Sequence, residues 1–180
     1  MEWFWYFLWY SFLGYLLEKL FAALTRSPRR VRKCRLLLPL CPVYGLAMVA
    51  ALRLPVDMTD TFWKLWLYGA LTVTAVEFAV HFFYDKALGV AFWDYSATKM
   101  DVDGRICMPF SVAWGFLVVL AVRWVQPWLA GLIAGIPPLL TWGMLWLMIA
   151  DTFFSLRILL HGRDVDLMSL PRLVRWLQQA

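Results

Sequence analysis

The sequence predicts an all-α polytopic membrane protein of five transmembrane helices, and three observations carry that prediction. Five apolar stretches are each long enough to cross a bilayer. The basic residues gather between those stretches on one side. The chain is 63% hydrophobic and 16% charged, with a mean hydropathy of +0.67, whereas soluble domains run to roughly 45–50% and about 25%.

A crossing takes about 20 mostly apolar residues, and the stretches that qualify are 3–24, 36–54, 62–84, 106–125 and 128–156. Lipid offers no partner to a free amide or carbonyl, so each is expected to be helical. The first begins with Glu2 and its basic cluster follows the apolar run. It is therefore read as a retained span with its N-terminus outside, not as a cleaved leader. The second and fourth carry Pro39 and Pro109 near their starts, where the first amides lack intrahelical partners anyway. The third carries Glu77 at its middle. Gln126-Pro127 is read as a tight outer turn before the fifth. The fifth contains Gly131, Gly135, Pro137, Pro138 and Gly143, which predicts a kink at the proline pair. Beyond Asp166, Leu170, Leu173, Val174 and Leu177 recur at helical spacing, with Arg172 and Arg175 on other faces. Ser169 suits a cap and Pro171 a first turn. The segment 167–180 is read as an amphipathic helix on the inner membrane surface or a frayed tail, and 1–166 as one transmembrane domain.

Charge sets the orientation. Arg26, Arg29, Arg30, Arg32, Lys33 and Arg35 follow the first span, Lys86, Lys99 and Arg105 the third, and Arg157, Arg163, Arg172 and Arg175 the fifth. With Lys19, fourteen of seventeen basic residues share one side, and Arg53, Lys64 and Arg123 fall opposite. The rich side is cytoplasmic by the positive-inside rule, placing the C-terminus in the cytoplasm of a multi-pass cell-membrane protein. The net charge of +5 does not indicate nucleic acid, because no soluble fold displays it. Twelve Trp, thirteen Phe and seven Tyr suit the headgroup level of a lipid bilayer. Cys34, Cys41 and Cys107 form no CxxC or Cys/His metal pattern. No metal, cofactor or disulfide is expected.

Two stretches resemble each other at an offset of 70. Arg35, Pro39, Tyr44 and Gly45 meet Arg105, Pro109, Trp114 and Gly115. Upstream, Glu18-Lys19 faces Asp85-Lys86 at an offset of 67. Each unit, about 3–54 and 62–125, holds two spans, so a parallel repeat about an axis along the membrane normal is expected.

Ionisable groups inside a span are costly and usually face a bundle interior or water. Glu77, His81 and Asp85 share a helix face at spacings of four. They suit a metal, a proton relay or a plain Glu–His hydrogen bond. Glu18 and Asp151 lie late in the first and fifth spans, so several carboxylates are expected to converge near the cytoplasmic face with Arg35 and Arg105. Such pairs either lock the bundle or serve a site. The loop Trp93-Asp94-Tyr95-Ser96 through Asp101-Val102-Asp103-Gly104-Arg105 is read as a headgroup-level turn or a gate across the inner mouth.

These residues resemble the bacterial ABC-transporter type IV family of the CmpB type, whose members are labelled ABC-transporter permeases. The resemblance rests on Tyr10-Ser11-Phe12-Leu13-Gly14-Tyr15 with Glu18, Leu40-Cys41-Pro42-Val43-Tyr44-Gly45, Glu77, Trp93-Asp94-Tyr95-Ser96, Gly104-Arg105-Ile106-Cys107 with Pro109, and Trp114-Gly115. It runs from about residue 6 to 155, and Asp101 and Asp103 stand where the family tends to carry asparagine. The resemblance implies a transporter or permease component of a bacterial inner membrane, with no substrate or catalytic residues to carry over. The chain has no GxxxxGK[ST], so ATP use requires a separate ATPase. Five spans also favour a homo-oligomer, for which Gly131 and Gly135 offer a close-packing face. The residues leave two other readings open, a membrane-embedded enzyme acting on a lipid-linked substrate at the cytoplasmic face and a non-catalytic scaffold.

Overall fold

The computed structural model describes residues 1–25 and 35–179. The cluster Arg26, Arg29, Arg30, Arg32 and Lys33 lies outside them, as does Cys34. The described helices are α1 (Glu2–Leu24), α2 (Pro42–Ala51), α3 (Phe62–Leu88), α4 (Met108–Ala134), α5 (Pro138–Gly162) and α6 (Leu170–Gln179). Among them α1, α3, α4 and α5 are long and apolar enough to cross a membrane.

Two boundaries differ from the sequence reading. The second expected span, 36–54, contains a helix of ten residues preceded by non-helical backbone over 35–41. The cause is a proline pair. Residues that precede proline avoid the α region, which sets Leu38 and Cys41 against helix, and Pro42 becomes the first helical residue. The second correction concerns Gln126-Pro127, which is not a turn. The helix runs through it, and a π turn over Ala121–Val125 immediately precedes the proline. A wide turn accommodates the amide and space that a mid-helix proline removes. The break falls instead at Gly135–Pro137, where Gly135 caps α4 and Pro138 opens α5.

Helix packing pairs α1 with α2 and α3 with α4, each antiparallel, through glycine. Gly45 of α2 abuts Phe7 and Ser11 of α1, and Gly14 of α1 abuts the Tyr44 ring. A Cβ on Gly115 of α4 would lie 2.7 Å from the Trp66 indole and 2.8 Å from the Trp66 carbonyl of α3. Small residues allow such approach, which supplies much of the attraction between helices in lipid. Trp5, Leu8, Met48, Leu65, Val118 and Leu129 form part of the buried core between these pairs. The Trp5 indole also donates to Thr141 Oγ1 of α5 at 2.9 Å.

Elsewhere the helices are greasy on the outside. Leu71, Phe83, Phe116, Leu120, Phe153 and Phe154 are all exposed, as lipid-facing side chains must be. Exposed Trp3, Trp63, Trp128 and Trp142 lie toward the same end of the bundle, the arrangement of an aromatic belt. That end also gathers the minority of basic residues. Arg53 sits 4.7 Å over the Trp3 ring, Lys64 pairs with Asp60 at 3.0 Å, and Arg123 donates to the carbonyls of Thr59 and Asp60. At the opposite end Leu88, Val90, Leu159, Val165 and Met168 close a second apolar cluster.

Candidate functional site

The opposite end carries the polar groups, and the loop between α3 and α4 organises them. The loop holds a short antiparallel hairpin, β1 (Asp101–Val102) with β2 (Ile106–Cys107). Its turn residues Asp103 and Gly104 both have positive φ, 53° and 68°, the backbone that Asp-Gly hairpin turns require. Asp101 accepts the Gly104 amide at 2.8 Å, and the Tyr95 amide donates to the Gly104 carbonyl at 2.8 Å. Asp94 accepts the Ser96 amide at 2.9 Å, and that backbone donor holds the Asp94 carboxyl below the usual carboxylate range.

Each turn at the end of α3 then holds a different part of this loop. Glu77 accepts the Tyr95 hydroxyl at 2.9 Å. His81 Nε2 lies 3.0 Å from the Trp93 carbonyl, with its ring edge-on to the Trp93 indole. Asp85 accepts from Arg105 at 3.0 Å. The Arg105 guanidinium also reaches Asp103 at 3.2 Å and lies over the rings of Phe78 and Phe82, while the Trp93 indole donates to the Arg105 carbonyl at 2.9 Å. The shared face of Glu77, His81 and Asp85 is thus spent on three separate loop contacts. Among the described residues no three His, Cys, Asp or Glu side chains converge as metal ligands.

Glu77 has a second partner across the bundle. Its other oxygen accepts the Trp114 indole of α4 at 3.1 Å. Trp114 stacks edge-on to Tyr44 of α2 at 5.7 Å, and the Tyr44 hydroxyl donates to Glu18 of α1 at 2.7 Å. Glu18, Tyr44, Trp93, Tyr95 and Trp114 line a pocket of about 570 Å³. The same five residues, with Glu77, line a smaller cleft of about 40 Å³. Phe92, Phe110 and Leu117 add apolar wall to the larger pocket, and Phe21 meets Phe110 edge-on at 5.9 Å. Tyr95 stacks on Phe110 at 5.0 Å. Burial first, and the neighbouring Glu77 next, push the Tyr95 hydroxyl well above the ordinary phenol range, so it stays a donor.

Two residues expected at this cavity stand elsewhere. Asp151 is fully buried, yet it lies against residues 35–38 and not in the pocket. Its two oxygens accept the amides of Leu37 at 2.8 Å and Leu38 at 3.0 Å. One helical turn on, Ser155 Oγ accepts the Leu36 amide at 2.9 Å. Arg35 reaches Thr152 Oγ1 and the Met148 carbonyl. The non-helical stretch is therefore satisfied by a polar stripe on α5, as buried backbone must be. Arg105 likewise belongs to the loop anchor. Pro39 sits in this irregular stretch and Pro109 in the first turn of α4.

The sequence reading passed over Trp93, Phe92 and Phe110 as site residues, and over Thr152 and Ser155. The Asp-Thr-x2-Ser spacing of α5 was the available signal for the latter pair. Nothing local marks Phe110, whose place depends on where the loop folds.

The model of a family described as "Putative ABC-transporter type IV" matches residues 5–156. The chain belongs to that family. No curated protein and no solved structure matches it.

Proposed function

We propose that this member of the ABC-transporter type IV family is the membrane-spanning component of a transport system, and that the pocket between Glu18, Glu77 and the surrounding rings holds its ligand. The observation that carries the reading is Glu77. It is a buried carboxyl on a membrane helix, 6% exposed, directed at a cleft and held by donors from a loop and from another helix. Buried ionisable groups of this kind mark ligand or ion paths.

The reading includes five crossings, the second made by residues 35–41 and α2 together. Two contacts support it. Gly45 near the start of α2 meets the middle of α1, and Arg53 just beyond its end meets Trp3 at the start of α1. The path then ends at the face opposite its beginning, and the basic majority supports reading that second face as cytoplasmic. ATP hydrolysis is supplied by a partner ATPase docking on this face. Gly131 has open space around its Cα, which leaves room for a second copy.

The internal repeat is retained with a corrected register. Tyr44 and Trp114, related by the offset of 70, donate to Glu18 and Glu77. Gly45 and Gly115, related likewise, abut Phe7 and Trp66. Glu18 therefore answers to Glu77 and Phe7 to Trp66, both at an offset of 59, and not Glu18 to Asp85. Trp3-Phe4 then meets Phe62-Trp63, and Trp9 meets Tyr68. The longer loop of the second unit absorbs the difference.

Copurification in mild detergent tests the proposal. An ATPase that accompanies the chain, and ATP-dependent solute flux in vesicles holding both, are the expected results. A chain recovered without any nucleotide-binding partner, and no flux in vesicles, would overturn it.

A further inference from the structure

α1 packs against the Gln126–Ala134 end of α4 and stands off from its Met108–Leu120 part. Tyr10 and Phe21 bridge the gap at its two ends. The Tyr10 hydroxyl donates to Gln126 Oε1 at 2.9 Å, and Phe21 meets Phe110 edge-on at 5.9 Å near the loop. Between them runs a slot floored by Tyr44, Ala47 and Met48 of α2. Its deep part holds about 200 Å³, and its loop end is the pocket of about 570 Å³. Leu17, Tyr44, Trp114 and Leu117 line both parts, so the two are continuous. No described residue of α5 lines either.

The deep part calls for an apolar occupant. Tyr10, Tyr44 and Trp114 bring polar side-chain atoms to its lining, and each is already paired. The Tyr10 hydroxyl donates to Gln126, the Tyr44 hydroxyl to Glu18 and the Trp114 indole to Glu77. The rest of the lining is Leu, Val, Ala, Met and Gly. Apolar cavities of this kind stay dry, and an unfilled one forfeits the dispersion contacts of its walls. The slot opens sideways, since Phe21, Leu117 and Leu120 line it and are also exposed. Both α1 and α4 are long and apolar enough to cross the membrane, so that rim is continuous with the lipid-facing surface.

Length and polarity narrow the occupant. From Tyr10 to Phe21 the slot follows α1 for about 16 Å, at about 1.5 Å per residue. One leaflet's share of the hydrocarbon core is about 15 Å. A helix with its side chains is about 10–12 Å across and does not fit the deep part, whereas a single hydrocarbon chain does. The loop end, by contrast, presents Glu18, Asp94 and Tyr95, side chains that suit a polar headgroup.

We propose that an acyl chain of a bilayer lipid occupies this slot, its headgroup at the Glu18–Tyr95 end and its tail reaching Tyr10. The proposal rests on the transport reading for naming such an amphiphile as cargo, whereas its binding is testable alone.

The test reconstitutes the full chain in vesicles of phosphatidylethanolamine and phosphatidylglycerol. These are doped with phosphatidylethanolamine bearing a diazirine on one acyl chain, and adducts are mapped by mass spectrometry after illumination. Met48 and Val118 are buried and out of reach of bulk lipid. A diazirine at the chain end should label them, and that labelling should saturate as the probe fraction rises. Labelling of exposed Phe153 and Phe154 should instead grow in proportion. A diazirine beside the ester should move the adducts to Leu17 and Ala113. Ala121→Phe puts a ring into the deep part and should abolish labelling of Met48 and Val118 while leaving that of Phe153 and Phe154. Should that variant fold poorly, saturation in the wild-type chain carries the test alone. Met48 and Val118 unlabelled at every probe fraction, as when a second copy covers the slot, would overturn the proposal. So would labelling that grows in step with Phe153, adducts in the reverse order along the slot, or full labelling of a folded Ala121→Phe protein. Those outcomes leave ATPase copurification and flux untouched. Conversely, saturable labelling of a chain that recruits no ATPase upholds the lipid site and removes the transport reading.

Discussion

Asp151 and Leu37 meet across the bundle at 2.8 Å, carboxylate to backbone amide, and Leu38 donates to the other oxygen of the same carboxylate at 3.0 Å. A side chain that reads as a cavity carboxylate is in fact the support for a stretch of chain without helical bonds. Asp151→Ala should cost about 1–3 kcal/mol for each amide left buried and unpaired. Asp151→Asn keeps one acceptor and should cost less. Melting in detergent, followed by size-exclusion chromatography, ranks the two against wild type.

The glycines differ in what surrounds them, and substitution should sort them. A Cβ on Gly115 meets Trp66 backbone that cannot step aside. Gly115→Ala should therefore cost about 1–3 kcal/mol through overpacking. Gly131 has nothing within 4 Å, so Gly131→Ala should be neutral or gain up to about 1 kcal/mol of helix propensity. Parallel melting curves of the two variants make the comparison.

At Gly104, φ is +68° and a Cβ would lie 2.7 Å from Asp94 Oδ1. Gly104→Ala should strain the hairpin by about 1–2 kcal/mol and release Tyr95 from Glu77. Faster proteolysis between residues 89 and 107, with α3 and α4 left intact, is the expected readout.

The loop should hold over a wide pH range. Asp94 is lowered in the folded chain by its Ser96 donor, so its contribution is full above the unfolded carboxylate value near about 4 and is lost as pH falls below that. Tyr95 is raised, so its contribution is full below the phenol value of about 10 and is lost only as pH rises beyond it. The protection factor of the Ser96 amide, its exchange rate relative to the intrinsic rate at each pH, should stay high from about pH 5 to 9 and fall on either side.

Hydropathy made the long helices legible, and an ionisable residue in an apolar run made Glu77 conspicuous. Its partners were hidden because they come from elsewhere. Tyr95 is 18 residues away and Trp114 is 37, and loop folding decides whether they arrive. Hydropathy also failed at 35–41, because an apolar stretch looks the same whether helical or extended. There the second proline, Pro42, was the usable sign, since its repeat counterpart is Val112 and α4 begins four residues earlier in register. Pro127 misled for the opposite reason, as a membrane helix tolerates one proline when neighbouring turns adjust.

The proposed function turns on an accessible pocket, lined by Glu18, Tyr95 and Trp114, at the end of the bundle that the proposal reads as cytoplasmic. Ala113 lines it and is exposed, so Ala113→Cys places a reporter at the wall. A membrane-impermeant methanethiosulfonate reagent should label that cysteine in inside-out vesicles and leave it unlabelled in right-side-out vesicles. Labelling solely from the opposite face, or no labelling at all, would contradict the account.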